Sequence, residues 1–496
     1  MNASPRRAAI LTLVAAFLGW MFDGFEMGLF PLIGSPALQD LLALKPGALD
    51  VSKWFSVIIA VFLVGAASGG VLFGWLGDKI GRVRAMSLSI FTYAIFTGLC
   101  GFATEAWHIA ALRFIASLGM GGEWSLGVAL VNEIWPERSR AWLAGAIGAA
   151  ANVGFLLVGL LSLGMNSVLA GIETFLLGIG LPDGTVERLL ANSGWRFLMI
   201  SGALPAFLIF FIRIFVPESE KWLHEKSKGA TTHWATQDLF GLAAGCCGAL
   251  AVIWVWSPLV TNPWARVVGT VGGLAVSIWG YMHPMRQYLR RAEAAKDIEP
   301  GSLGRITRSM LIGTALAGVA LLGTWGSVQW APKWASELAP GTNAKEFTQM
   351  ASGGGAILGT MVAALMGGWL GRRITYSLLC VGTIAAALFL YQFNHVYGRM
   401  FLFSVFLFGG VSAAFYGFFP LYLPELFPTR VRATGQGFSY NFGRIIAAVG
   451  GLQTATFIAL FDGNFATAGS VMSAIYLLGI VVIWFAPETK GRPLPA

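Results

Sequence analysis

Runs of about 20 uncharged or nearly uncharged residues recur from residue 10 to residue 486, and a run of that length is what one helix needs to span the hydrocarbon of a bilayer. Only 11% of the 496 positions are charged, against roughly a quarter in a soluble domain, so most of the chain is made for lipid rather than water. Backbone amides in lipid need partners within the structure, which leaves helices or closed barrels. The runs are too long and continuous for the alternating strands of a barrel. The predicted class is an all-α membrane protein. The first run follows Arg6-Arg7 as in a signal peptide, yet it continues past residue 30 without a small-residue cleavage pattern and reads as the first span.

Fourteen spans are predicted, at 8–33, 52–77, 83–103, 107–131, 141–163, 195–216, 239–258, 264–283, 306–330, 348–370, 373–393, 398–422, 432–460 and 466–486. Most of the 33 Lys and Arg fall in alternate loops, which places both termini on the cytoplasmic side of a plasma (inner) membrane. The net charge of +9 is therefore a topology signal, not the footprint of a nucleic-acid partner. No Gly-x-x-x-x-Gly-Lys-(Ser/Thr) loop is present, so no ATP site is expected. The five histidines lie at span ends or in loops, and Cys100, Cys246, Cys247 and Cys380 lie inside apolar runs, with no Cys-x-x-Cys or His-Glu-x-x-His. Neither a metal nor a cofactor site is expected. An enzyme would need a nucleophile, metal or cofactor constellation, and the sequence offers none.

Three motifs occur twice. Gly74-Trp75-Leu76-Gly77 returns as Gly368-Trp369-Leu370-Gly371, Glu133-Ile134-Trp135-Pro136-Glu137-Arg138-Ser139-Arg140-Ala141 as Glu425-Leu426-Phe427-Pro428-Thr429-Arg430-Val431-Arg432-Ala433, and Pro217-Glu218-Ser219 as Pro487-Glu488-Thr489. Repeats roughly 270–290 residues apart imply two parallel copies of six spans. The expected domains are 1–230, a central insert at 231–300 with two extra spans and a basic linker, and 301–496. Basic residues flank the insert on both sides, so it crosses twice or not at all; with two crossings, residues 259–263 lie outside. The long outer loop at 164–194 contains a stretch, Phe175 to Leu181, that suits a surface helix.

The run Gly74-Trp75-Leu76-Gly77-Asp78-Lys79-Ile80-Gly81-Arg82-Val83-Arg84, between spans 2 and 3, resembles the loop signature of the major facilitator superfamily. The doubled Glu-x-(aromatic)-Pro-x-Arg-x-Arg-Ala and the Pro-Glu-Ser and Pro-Glu-Thr ends extend the likeness over both halves. The resemblance implies two six-helix bundles that rock about a midplane site. Asp23-Gly24-Phe25-Glu26 is similar to the span 1 motif of the aromatic-acid and sialate/lactate proton symporters, and Asn441-Phe442-Gly443-Arg444 is like their span 11 Gly-Arg. Arg113-Phe114-Ile115 through Gly119-Met120-Gly121-Gly122-Glu123 resembles the span 4 run of organic-ion and sugar carriers, with Ser117 in place of a glycine. The second signature copy lacks the counterpart of Asp78, which argues against an equal gating role there.

Ionisable groups inside spans are costly and usually functional. Asp23 and Glu26 share a helix face, with Asp23 roughly 22 Å along a span starting at residue 8, and they are the proton-coupling candidates. An ion pair that only fixes packing is the alternative. Arg444 lies about 18 Å into span 11, and its planar guanidinium suits a carboxylate, unless Asp23 or Glu26 neutralises it. Tyr440, Asn441, Arg113, Glu123 and Gln329 complete the substrate-binding candidates, with Arg113 and Glu123 equally readable as a packing pair. Asn152 and Gln453 fit interhelical hydrogen bonds as well as a site, and Trp325, Trp330 and Tyr416 are candidate cavity aromatics. Gly74, Asp78, Arg82, Glu133, Arg138, Arg140, Glu425, Arg430 and Arg432 are expected to form an inner gate. The reading these residues favour is proton-coupled symport of a small organic anion, a monocarboxylate, sugar acid or aromatic acid. A sugar or polyol carrier is the alternative, and a transporter-fold nutrient sensor a more distant one.

Overall fold

The computed structural model describes residues 5–43, 49–257, 260 and 262–495, and the regular elements among them are all helical. In chain order they are α1 Pro5–Leu42, α2 Leu49–Ile80, α3 Arg82–Leu99, α4 Ala106–Ile134, α5 Arg140–Leu163, α6 Met165–Gly178, α7 Asp183–Ser201, α8 Ala206–Phe215 and α9 Glu220–Ser227. The middle contributes α10 Leu239–Val255 and α11 Pro263–Ala294. The remainder holds α12 Ser302–Trp325, α13 Ala331–Leu338, α14 Ala344–Leu370, α15 Arg372–Phe393, α16 Arg399–Ala413, α17 Phe415–Tyr422, α18 Arg432–Asn441, α19 Gly443–Ala459, α20 Phe465–Ser473 and α21 Ile475–Val482. Among the described residues 11 helices are long and apolar enough to cross a membrane, which makes this a multi-pass membrane protein.

Several predicted spans differ in detail. The first is longer than 8–33 and continues as helix through Pro31 and Pro36. The sixth is not one rod: α7 has non-helical backbone at Ala191–Gly194, and the chain turns again before Pro205 opens α8. Proline lacks the N–H that would continue a ladder and disfavours helix in the residue before it. The surface helix is Met165–Gly178, upstream of the expected Phe175 to Leu181, and Gly180 at φ +87° lies in the turn that follows. The expected spans 306–330, 398–422, 432–460 and 466–486 are each interrupted, the third between Asn441 and Gly443. The tip of the central hairpin, including residues 258, 259 and 261, lies outside the described residues.

The two halves meet along two seams, where α2 crosses α18 and α19, and where α5 crosses α14 and α17. Small residues permit the approach: a Cβ on Gly437 would stand 2.2 Å from the Gly70 carbonyl oxygen. The α10–α11 hairpin lies against the first seam. The Tyr281 hydroxyl is 2.7 Å from Ser68 Oγ on α2, its ring meets Phe442 edge-on, and Gln453 on α19 donates to the Trp256 carbonyl at 2.9 Å.

The doubled loop motifs meet where α3 and α15 begin. Gly81 (φ +111°) precedes α3, and the Glu218 carboxylate accepts from the backbone N–H of Arg82 at 2.9 Å and Val83 at 3.1 Å. Gly371 (φ +94°) precedes α15, and Glu488 accepts from Arg372 and Arg373 in the same way. Arg82 Nη1 donates to the Gly77 carbonyl and Arg372 Nη1 to that of Gly367. By role, then, Gly371 matches Gly81 rather than Gly77, and the repeated Gly-Trp-Leu-Gly quartets sit about one helical turn out of register. What repeats is the cap, an acidic group at the positive end of a helix.

Candidate functional site

A cavity of about 270 Å³ lies between the halves, lined from both. It reaches along α1 from Trp20 to Pro31 and along α14 from Ala356 to Lys345. Pro31, Gln329, Lys333 and Lys345 are exposed at one end, whereas Trp20, Asp23, Trp124, Tyr440 and Arg444 are buried at the other. The cavity is thus open on the face opposite the loops carrying Asp78 and Arg82.

The floor is aromatic. Trp124 stacks on Tyr440 with ring centroids 3.8 Å apart, Trp20 stands 5.8 Å from Trp124, and Tyr416 meets Tyr440 edge-on. Arg444 projects from the first turn of α19 with its guanidinium carbon 5.8 Å from the Tyr440 ring. It is 8% exposed, its Nη1 has no hydrogen-bond partner, and no carboxylate lies within 4 Å of it among the described residues. A planar guanidinium with an open N–H at a cavity wall has the geometry to receive a carboxylate. Asp23 lines the same cavity and is close enough to Arg444 to feel its charge.

The predicted carboxylates separate. Asp23 lies beside Glu123 of α4, and Asp23 Oδ1 and Glu123 Oε2 are buried without hydrogen-bond partners. Glu26 instead forms a buried ion pair with Arg113 at 2.7 Å, and that guanidinium lies over the rings of Phe30 and Phe62. Of the other substrate-binding candidates, Tyr440 and Gln329 line the cavity, while Asn441 does not: its amide donates to the carbonyls of Gly121 and Gly437 at the helix crossing. Arg113, Glu123 and Glu26 are likewise absent from the lining. Asn152, Trp325 and Tyr416 do line it; Trp330 packs near Phe457, and Gln453 holds the central hairpin. Sequence reasoning missed Trp20, Trp124, Lys333 and Lys345. An aromatic or a lysine near a span end carries no sign of which way it faces.

On the closed face the gating candidates form a continuous buried network. Arg82 pairs with Asp78 at 2.7 Å and with Glu133 at 3.1 Å, and donates to the Thr429 carbonyl of the other half. Glu133 bonds Arg432 across the halves at 2.6 Å, and Asp78 accepts from the backbone and hydroxyl of Thr434. Gly74 sits in this crossing, where a Cβ would stand 2.7 Å from the Ala433 carbonyl oxygen. The second half repeats the pattern internally, Arg372 with Glu425 at 2.6 Å, but its link across, Arg140 to Glu425, is 3.9 Å long. Arg430 pairs with Glu225 at 2.7 Å. Arg138 is exposed and has no ion pair among the described residues.

The profile of the sugar (and other) transporter family matches residues 11–241 and 341–496, most of both halves and neither hairpin helix in full. The chain belongs to that family. A putative metabolite transport protein of Haemophilus influenzae is 25% identical over 97% of both chains. The cis,cis-muconate transport protein of Acinetobacter baylyi is 26% identical over 97% of this chain and 95% of its own. The proton:xylose symporter XylE shares the fold, with a TM-score of 0.68 at 16% identity over 99% of this chain and 98% of that one. The protein is a major facilitator transporter of small metabolites, and its relatives are carriers rather than enzymes.

Proposed function

We propose that this protein is a proton-coupled symporter of a small organic anion, working by alternating access in a plasma membrane with both termini inside. Arg444 carries the reading. A buried guanidinium with no carboxylate within 4 Å among the described residues and an unpartnered Nη1 is costly, and a substrate carboxylate accepting from its N–H groups would relieve that cost only when the cavity is loaded. The proton has a place beside it. Two buried carboxylates side by side repel when both are ionised, so the neighbouring Asp23 and Glu123 favour holding a proton at the edge of the cavity. The relative named for cis,cis-muconate handles a carboxylate, which accords with this choice.

The span count proposed is fourteen: six in each half, with the broken α7–α8, α12–α13, α16–α17, α18–α19 and α20–α21 each making one crossing, and the α10–α11 hairpin between. The clustering of Lys and Arg on the closed face supports a cytoplasmic position for it. A sugar or polyol carrier is the second reading, favoured by the stacked Trp124 and Tyr440, which suit a sugar face as well as a planar acid.

Binding to purified Arg444→Lys protein separates the two. Lysine keeps the charge but cannot offer a planar fork, so loss of one charged hydrogen bond, about 1.5–3 kcal/mol, should weaken a carboxylate ligand by roughly one to two factors of ten. Unchanged affinity in protein of normal thermal stability removes Arg444 from the site and favours the neutral ligand.

A further inference from the structure

The open end of the cavity carries charge of its own. Lys333 lies in the first turn of α13 and Lys345 in the first turn of α14, and both line the mouth. Neither has a carboxylate within 4 Å among the described residues. The acids next to them in sequence do not serve: Glu337 lines a separate pocket with Trp334 and His395, and Glu346 is not part of the cavity wall. The short helix bearing Lys333 is anchored by buried Ala331, Trp334 and Ala335, so that the lysine is held at the rim. A cation in the first turn of a helix opposes the helix dipole. Here two helices do this side by side, and their positive ends add to the lysines in drawing an anion to one place.

The wall of α14 runs eleven residues from Lys345 to Ala356, and that of α1 eleven from Trp20 to Pro31, so mouth and floor are separated by roughly 16 Å. That is about twice the screening length of roughly 8 Å at physiological salt. The lysines therefore act most strongly on an anion arriving at the solvent-filled mouth and less on one already held by Arg444 at the greater distance. Among the charged residues lining the cavity, Asp23 is the one acid, against Arg444, Lys333 and Lys345.

We propose that Lys333 and Lys345 form an outer capture station for the anionic substrate, separate from the Arg444 site, which raises the rate of entry and rejects cations. The proposal rests on the organic-anion reading, but its test does not require the substrate to be known. In the full-length protein with Cys100, Cys246, Cys247 and Cys380 replaced, Ser352→Cys places a thiol on the cavity wall about two turns below Lys345, roughly 10 Å deeper. The probes are two methanethiosulfonates of similar size, the anionic ethylsulfonate and the cationic ethyltrimethylammonium, applied from the outer face. Their rate ratio cancels differences in thiol exposure and leaves the local potential. Lys333→Gln with Lys345→Gln should lower the anion-to-cation ratio about threefold or more, and the effect should vanish near 1 M salt, where screening acts within about 3 Å. A ratio unchanged by the double substitution overturns the capture station. Loss of the organic-anion reading would show differently, as unchanged ligand affinity in Arg444→Lys while the rate ratio still falls.

Discussion

Four buried charged side chains of the first half, Asp23, Glu26, Arg113 and Glu123, divide into two pairs of opposite character. Glu26 and Arg113 neutralise each other at 2.7 Å away from the cavity wall, whereas Asp23 meets another acid and faces the cavity. Removing one partner of a buried ion pair strands the other charge, at a cost of about 3–5 kcal/mol. Glu26→Gln should therefore lower thermal stability and membrane abundance, while the coupling of the surviving protein stays intact. Asp23→Asn should instead abolish accumulation against a gradient and spare exchange of substrate across the membrane. Accumulation that is protonophore-sensitive in Asp23→Asn would take coupling away from Asp23. The spacing of Asp23 and Glu26 was readable as a shared helix face, but their different fates were not. Their partners come from α4, about 90–100 residues along the chain, and helical periodicity carries no information about which neighbouring helix a face meets.

Along the elements, the caps of α3 and α15 show why the loop motifs recur as sets. Each needs a left-handed glycine, an arginine after it and a glutamate delivered from beyond the sixth span of its half. A Cβ on Gly81 would stand 2.3 Å from the Glu218 carboxylate as well as straining a backbone at φ +111°. Gly81→Ala should cost about 1–3 kcal/mol, seen as a lower unfolding temperature of the purified protein; no change would mean the cap contributes nothing. Burial alone would raise the Glu488 carboxyl, yet the backbone N–H groups of Arg372, Arg373 and Lys490 hold it below the usual carboxylate range. A depressed folded value means that this stabilisation is present above the ordinary glutamate value of about 4.3 and is lost as pH falls through the folded one. Glu488→Gln should accordingly lose stability near neutral pH and change less on acidification than the unsubstituted protein. The repeats were visible in the sequence because each motif supplies the same cap twice. Their register was not, since identical quartets one turn apart align better by letter than by role. The breaks in α18–α19 and α20–α21 were also invisible, because apolar composition continues across them.

For the molecule as a whole, the charge network proposed as the gate is lopsided, and the lopsidedness predicts which half controls it. Asp78 accepts three hydrogen bonds from across the seam, from the backbone N–H of Ala433 and Thr434 and from the Thr434 hydroxyl, and Glu133 adds the 2.6 Å bond to Arg432. In the second half Gly368 stands where that aspartate would be, and the reciprocal pair of Arg140 and Glu425 is stretched to 3.9 Å. These seam-crossing bonds belong to the closed face; those within a half, such as Arg82 with Asp78, can survive rocking. Asp78→Asn turns an acceptor of backbone N–H groups into a side chain that meets them partly with donors of its own. Leaving such groups unsatisfied costs about 1–3 kcal/mol, and only in the inner-closed state. The equilibrium should shift toward inward-open by roughly five- to 150-fold. Ser125, whose carbonyl accepts from Gln436 across the same seam, reports the change: an impermeant thiol reagent applied from the inner face should label Ser125→Cys much faster when Asp78→Asn is present. Arg140→Gln, acting on the stretched pair, should accelerate labelling far less. Equal acceleration by both substitutions would mean the gate is symmetric after all, and that the aspartate missing from the second half has no mechanical consequence.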